Sequence, residues 1–243
     1  MIDPYLSDSL AEKYRGSVYP HTRVMPPPVD AGQLDDLRLV LCTHRHTDHM
    51  DPGTLPILAE RNPRCAFVVP RAERDAALKA GLPEARMLLL NAGESVQPLD
   101  GLTIAAVPAA HEDLRINEWG EHHFLGYVLK LGELTLYHSG DCIPFDGLVE
   151  HVRPHGPRVA LLPVNGRDEL RRSRGVPGNF TFAEAAALAV ELGVELVIPH
   201  HFGLFDFNTA DPAELAKQAR ALPVGGPACE LPDAHSWFEL EAT

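Results

Sequence analysis

The stretch "LVLCTHRHTDHMDP", residues 39–52, constrains this chain more than any other, because an apolar run ends in three histidines and two aspartates within eight positions. Its first half is short, apolar and β-branched, the pattern of a buried strand. His44, His46, Asp48 and His49 then form H-x-H-x-D-H at the strand end, where backbone turns can aim several side chains into one cavity. Imidazole and carboxylate together suit zinc, manganese or iron, whereas calcium wants oxygen ligands almost alone. One turn does not supply four or five ligands, so a metal site demands further His or Asp at other strand ends. His111 follows "LTIAAVPAA", Asp141 follows "LTLYHSG" and the pair His200-His201 follows "ELVIP", each just beyond a predicted strand. Ligand sites outside the carboxyl ends of strands are common in layered α/β folds.

The rest of the chain supports such a fold. "LRLVLC", "CAFVVP", "LTIAAV", "LGYVLKL", "LTLYHS", "RVALLPV" and "ELVIPHH" read as strands bounded by Gly, Pro or polar residues. "TFAEAAALAVELG" reads as a helix with a Thr181/Glu184 capping box and Gly193 as its stop. "DPAELAKQARAL" opens on Asp211 and Pro212, and "DPGTLPILAER" repeats that logic from Asp51 and Pro52. A tight Gly132-Glu133 connection predicts an antiparallel strand pair. Without repeats or a low-complexity linker, residues 1–243 are expected to form a single α/β domain.

Composition excludes several partners. A formal net charge of −13 argues against nucleic acid, which needs a basic surface. The start "MIDPYLSDSLAEKY" has neither a basic nor an apolar leader pattern, and no stretch approaches the roughly 18 apolar residues of a membrane span. A cytoplasmic location with no membrane partner is therefore expected. Cys42, Cys65, Cys142 and Cys229 form no C-x-x-C pair, which predicts reduced, mostly buried thiols.

The order H-x-H-x-D-H, lone His, S-G-D, P-x-H resembles the metallo-β-lactamase superfamily of metal-dependent hydrolases over nearly the whole chain. Within it, "DPYLSDSL", "VPAAHE", "YHSGD", "LLPVNGR" and "VIPHHFGLFDFNTADP" look most like the branch that contains L-ascorbate-6-phosphate lactonase. The resemblance implies a four-layer αβ/βα sandwich of two mixed sheets flanked by helices. Relatives carry two strands before "DPYLSD", so either the native start lies upstream of Met1 or this chain lacks the first N-terminal strands and leaves a sheet edge uncovered. Carried over by position, one metal is held by His44, His46 and His111, a second by Asp48, His49 and His201, and Asp141 bridges them. His201 is preferred to His200 because the family register is P-x-H and neighbours on an extended segment point opposite ways; His200 is assigned to the surrounding substrate side. Cys142, where relatives have Thr or Ser, is read as a packed side chain rather than a soft extra ligand.

The expected reaction is hydrolysis without a protein nucleophile. One or two divalent ions, manganese or zinc before iron, bring the pKa of bound water from about 16 toward roughly 7. Asp48 orients the attacking water or carries its proton. Opening of a lactone on a small, phosphorylated or otherwise anionic carbohydrate is the leading reading; a phosphodiesterase and a mononuclear iron oxidoreductase are the alternatives on the same scaffold. For an anionic substrate, "PVNGRDELRRSRGVPGNFT" offers Asn165, Arg167 and Asn179, with Arg167 as the expected contact. The loop "EDLRINEWGEHH" is expected to lie beside His111, with Trp119, His122 or His123 over the pocket. Homo-oligomerisation is left open.

Overall fold

Two sheets flanked by helices make up the computed structural model of the chain, which describes residues 1–232. The expected domain of residues 1–243 therefore includes eleven positions, 233–243, that lie outside the described residues. The described residues fall into two compact units, the first built from 1–91, 116–123 and 205–207, the second from 92–115, 124–204 and 208 onward.

The first unit holds the strands β1 (Leu39–Leu41), β2 (Ala66–Pro70) and β3 (Met87–Leu90). All pair in parallel in the order β1-β2-β3, so this sheet is not mixed as expected. Parallel neighbours need crossovers, and α2 (Leu55–Arg61) and α3 (Arg74–Lys79) supply them. Val40, Phe67 and Val69 pack with Leu55, Leu58 and Ala77 from those helices. A short helix α1 (Ser9–Lys13) precedes the sheet. The free edge of β1 is taken by the first residues: Leu41 N donates to Met1 O at 2.9 Å and Asp3 N to Leu41 O at 2.8 Å.

Helix α2 starts later than "DPGTLPILAER" suggests. Thr54 is its N-cap, and the Asp51 carboxylate, fully buried, instead accepts from Ser7 Oγ at 2.7 Å, Ser9 Oγ at 2.6 Å and Gly53 N at 2.9 Å. A buried carboxylate needs several donors, and those serines outcompete a capping role.

The second unit is a seven-stranded mixed sheet of β4 (Ser95–Leu99), β5 (Leu102–Pro108), β6 (Leu125–Leu131), β7 (Leu134–His138), β8 (Val159–Pro163), β9 (Leu196–His200) and β10 (Ala228–Cys229), in the order β10-β9-β8-β7-β6-β5-β4. Pairing is antiparallel from β4 to β7 and parallel from β7 to β10. The Gly132-Glu133 turn joins β6 to β7 as expected, with Leu131 opposite Leu134. Two antiparallel steps restore direction, so β5, β7 and β9 all run the same way and end at the same side of the sheet. The crossover helices are α4 (Leu148–Val152), α5 (Glu169–Ser173) and α6 (Phe182–Leu192); α7 (Pro212–Arg220) leads to β10.

Helix α6 shows why these segments fold as they do. Thr181 and Glu184 close the capping box, and Gly193 ends the helix at φ 72°. Phe182, Ala185, Leu188, Ala189 and Leu192 form one buried stripe at helical spacing, packed with Ala160, Leu162 and Val197 of the sheet. Asp211 caps α7 through Ala213 N, with Pro212 at its first position. No helix among the described residues is long and apolar enough to cross a membrane.

Candidate metal centre

In the first unit, β1 ends at Leu41 and the chain folds back at once. His49 N and Met50 N both donate to His46 O, at 2.9 and 2.8 Å, which closes a turn and gathers the H-x-H-x-D-H side chains. The His44 ring centroid lies 4.5 Å from that of His46 and 4.1 Å from that of His49, and Asp48 Oδ2 is 3.6 Å from His49 Nε2. His44 and His49 are buried.

Asp3, which the sequence reading did not single out, organises this group. Its carboxylate accepts from Thr43 N at 2.7 Å, Thr43 Oγ1 at 2.7 Å and His49 Nδ1 at 2.8 Å. A carboxylate only accepts, so the His49 proton sits on Nδ1 and the lone pair on Nε2. The Thr43 hydroxyl gives its one proton to Asp3, so its 3.0 Å contact with His44 Nδ1 needs the proton on the histidine. His44 Nε2 is thereby also left as a lone pair, the form in which imidazole binds a cation. Asp3 itself sits at φ 47°, a left-handed conformation unusual for a non-glycine. Removal of such a partner costs about 10–100-fold in metal affinity. Asp3→Ala is accordingly expected to weaken metal binding by that factor in a competition titration with a chromogenic chelator, and an unchanged affinity would contradict this role.

In the second unit, His111, Asp141 and His201 follow β5, β7 and β9, and the common direction of those strands places all three beyond the same side of the sheet. His111 Nε2 lies 3.4 Å from Asp141 Oδ2, and His201 Nε2 lies 3.3 Å from Asp141 Oδ1. One imidazole therefore faces each oxygen of a buried carboxylate. His111 Nδ1 is 3.0 Å from Gly178 O, and since a carbonyl only accepts, His111 also carries its proton on Nδ1 and keeps Nε2 as a lone pair. Gly178 N in turn donates to Glu112 Oε1 at 2.8 Å, so consecutive side chains grip the two peptide units that flank Gly178. Nitrogen and carboxylate donors in this form fit a divalent transition metal.

His201 reaches Asp141 for a reason other than strand alternation. The strand β9 stops at His200, and His201 turns into the left-handed region at φ 63°. The His200 ring stacks on His138, centroids 4.7 Å apart and planes 27° apart. Cys142 is packed in the core as expected: its thiol donates to Ile143 O at 3.3 Å, and burial pushes its pKa up to about 12.

The residues expected to hold an anion make contacts within the chain. Arg167 pairs two-pronged with Glu184, both contacts 2.6 Å, and donates to Asn179 O at 3.1 Å. Asn179 Nδ2 donates to Asn165 Oδ1 at 3.0 Å, and Asn165 Nδ2 to Asn208 Oδ1 at 2.8 Å, with both Asn165 and Asn179 buried. Arg171 binds Asp168 at 2.6 Å and Asn208 at 2.8 Å. These bonds tie residues 165–184 together; sequence shows the charges but not their partners. Residues 116–123 belong to the first unit, where His123 meets Glu73 at 2.6 Å and His122 meets Asn91 at 3.1 Å, while Trp119 is exposed.

Hydrogen bonding from Arg167 holds the Glu184 carboxyl below its usual range. A carboxyl whose folded pKa is depressed contributes stability above its unfolded pKa of about 4.3, and that contribution disappears as pH falls through the folded value. The melting temperature of Glu184→Gln should therefore be lower than wild type near neutrality and converge on it only as pH falls through the depressed folded pKa of Glu184. A constant gap across the acid range would refute the pairing.

Residues 1–202 match the family described as the beta-lactamase superfamily domain, and the chain belongs to that family. It is a metal-dependent hydrolase of the metallo-β-lactamase superfamily. Over 229 residues it is 31% identical to a UPF0173 metal-dependent hydrolase of Myxococcus xanthus, an alignment that covers 91% of this chain and 70% of that protein. It is 26% identical over 211 residues to a probable L-ascorbate-6-phosphate lactonase of Escherichia fergusonii, covering 81% of this chain and 57% of that relative's length. Among solved structures, isothiocyanate hydrolase from Delia radicum gut bacteria superposes with a TM-score of 0.75 at 20% identity, covering 100% of this chain and 92% of that one. The metallo hydrolase Igni18 from Ignicoccus hospitalis superposes with a TM-score of 0.64 at 22% identity, covering 84% and 80%. At these identities the structures bear on the fold alone.

Proposed function

We propose that this hydrolase opens the lactone ring of a small hydroxylated acid. The residues that would hold one or two divalent ions, manganese or zinc, are His44, His46, Asp48 and His49 of the first unit and His111, Asp141 and His201 of the second. The observation that carries the reading is the Asp141 carboxylate with one imidazole nitrogen facing each oxygen, 3.4 and 3.3 Å away. Similarity to the probable lactonase over 81% of this chain supports the choice of ester.

When bound, the cation polarises an acyl oxygen and makes water acidic enough to attack at neutral pH. The chain's own residues supply the rest. Asp3, through Thr43 and His49, and the Gly178 carbonyl, through His111, keep three imidazoles in the ligating tautomer. Asp48, partly open to solvent, orients the attacking water and takes its proton. With Arg167 and Arg171 already paired, the reading rests on the lactone carbonyl rather than on a phosphate.

The test is metal analysis of protein purified without chelator or histidine tag, followed by turnover against matched lactone, thioester and phosphodiester substrates. Zinc or manganese with preferential lactone opening is the expected result. Phosphodiester cleavage alone, or bound iron with oxygen consumption, would replace the reading by one of the alternatives on this scaffold.

A further inference from the structure

We infer that His21 is a substrate-binding residue, whose Nε2 accepts a hydrogen bond from a hydroxyl of the molecule being hydrolysed, against a wall formed by Tyr14 and Phe207; this rests on the lactonase reading.

Five non-glycine residues among those described have left-handed backbone: Asp3, His21, Asp36, Glu112 and His201. Such strain persists where surrounding structure enforces it, and it concentrates at functional positions. Asp3 holds His49, Glu112 accepts from the N–H of Gly178, the residue whose carbonyl binds His111, and His201 faces Asp141. His21, at φ 53°, has no metal ligand to hold, which raises the question of what its strain serves.

Its surroundings answer in chemical terms. His21 Nδ1 lies 2.6 Å from Tyr19 O, and an acceptor carbonyl requires the proton on Nδ1. The Tyr14 ring stacks on the imidazole at 4.2 Å and 21°, while Phe207 and Phe205 meet it edge-on at 4.7 and 5.2 Å. Burial among these rings lowers the His21 pKa, so the neutral form with a lone pair on Nε2 prevails near pH 7. Among the described residues no hydrogen bond reaches that nitrogen, and the ring is only half-buried. The Tyr19 carbonyl fixes the tautomer and three aromatic rings hold the imidazole in place, which leaves Nε2 as an acceptor for an outside donor.

Position completes the argument. Lys13 lies 5.1 Å over the Tyr14 ring and donates to Thr47 Oγ1 at 3.2 Å, and Thr47 stands between His46 and Asp48 in the H-x-H-x-D-H turn. The acceptor is thus tied to the metal loop of its own unit through two side chains. An unprotonated nitrogen reads a hydroxyl and rejects a carboxylate or phosphate oxygen, and aromatic walls suit the flat face of a ring. The substrate class is a neutral, hydroxylated ring lactone.

The experiment compares D-gluconolactone, rich in hydroxyls, with δ-valerolactone, which has none, in wild type, His21→Phe and His21→Asn. Phe keeps the ring contacts and removes the acceptor; Asn keeps an acceptor and tolerates left-handed backbone. One hydrogen bond is worth about tenfold. His21→Phe should raise KM for D-gluconolactone about tenfold, leave δ-valerolactone and metal content unchanged, and be partly rescued by Asn. Equal losses on both lactones, or on neither, would overturn the inference while leaving the lactonase reading in place. If wild type opens neither lactone, the lactonase reading falls, and nitrogen resonances of the wild-type imidazole decide the inference in a D-gluconate titration. A moving His21 Nε2 signal supports it, and a static one overturns it; the same titration decides the matter if His21→Phe does not fold.

Discussion

Asp141→Ala should lower kcat/KM by at least about 100-fold, the upper end of what loss of a mere outer partner costs a metal site. The reason is geometric. Both oxygens of this carboxylate face an imidazole nitrogen, so its removal takes away the group that His111 and His201 share. The side chain is small and lies beyond β7 rather than in the apolar core, so far-ultraviolet circular dichroism should remain that of the wild type. Bound metal, measured by atomic emission after gel filtration, should fall in parallel, and His201→Ala should behave in the same direction. Wild-type turnover in both variants would remove the assigned centre.

The second large effect is expected where there is no functional group. A Cβ built at Gly178 would stand 2.0 Å from Arg167 Cβ and 2.9 Å from Arg167 Cα. Backbone and a side-chain root cannot rotate away, so Gly178→Ala must push two segments apart. Overpacking of this kind costs about 1–3 kcal/mol, which lowers the melting temperature of a chain this size by roughly 2–12 °C. The displaced residue is also the one whose carbonyl accepts from His111 Nδ1 and whose N–H donates to Glu112. Gly178→Ala should therefore weaken metal affinity as well as stability, by chelator competition and thermal melting on the same sample. A variant that melts like wild type and binds metal equally well would show that the crowding relaxes without moving His111.

Sequence carries what is local and leaves out what is distant. H-x-H-x-D-H is visible because its members share one turn, and α6 because its cap, stripe and stop lie within thirteen residues. The strands before His111, Asp141 and His201 are visible as apolar runs, which is enough to place those residues at strand ends. Strand β4 is missed because Pro98 interrupts its pattern, as an edge strand permits; β3 is short and only half-buried. Asp3 meets His49 across 46 positions and Gly178 meets His111 across 67, and nothing in either residue type announces such a contact. The partner of Arg167 is illegible for the same reason: its charge can be read, but the carboxylate that neutralises it is seventeen positions away on a helix face.

The common direction of β5, β7 and β9 has a consequence for how the protein matures. His44, His46, Asp48 and His49 can come together as soon as a single turn closes, a local event available early in synthesis. His111, Asp141 and His201 span 90 positions and meet only after β9 has docked beside β8, among the slower and more non-local steps in forming such a sheet. Cation loading should thus be a late event for the second trio. A nascent chain released before β9 would offer a loose, half-built chelator open to whichever metal is most abundant.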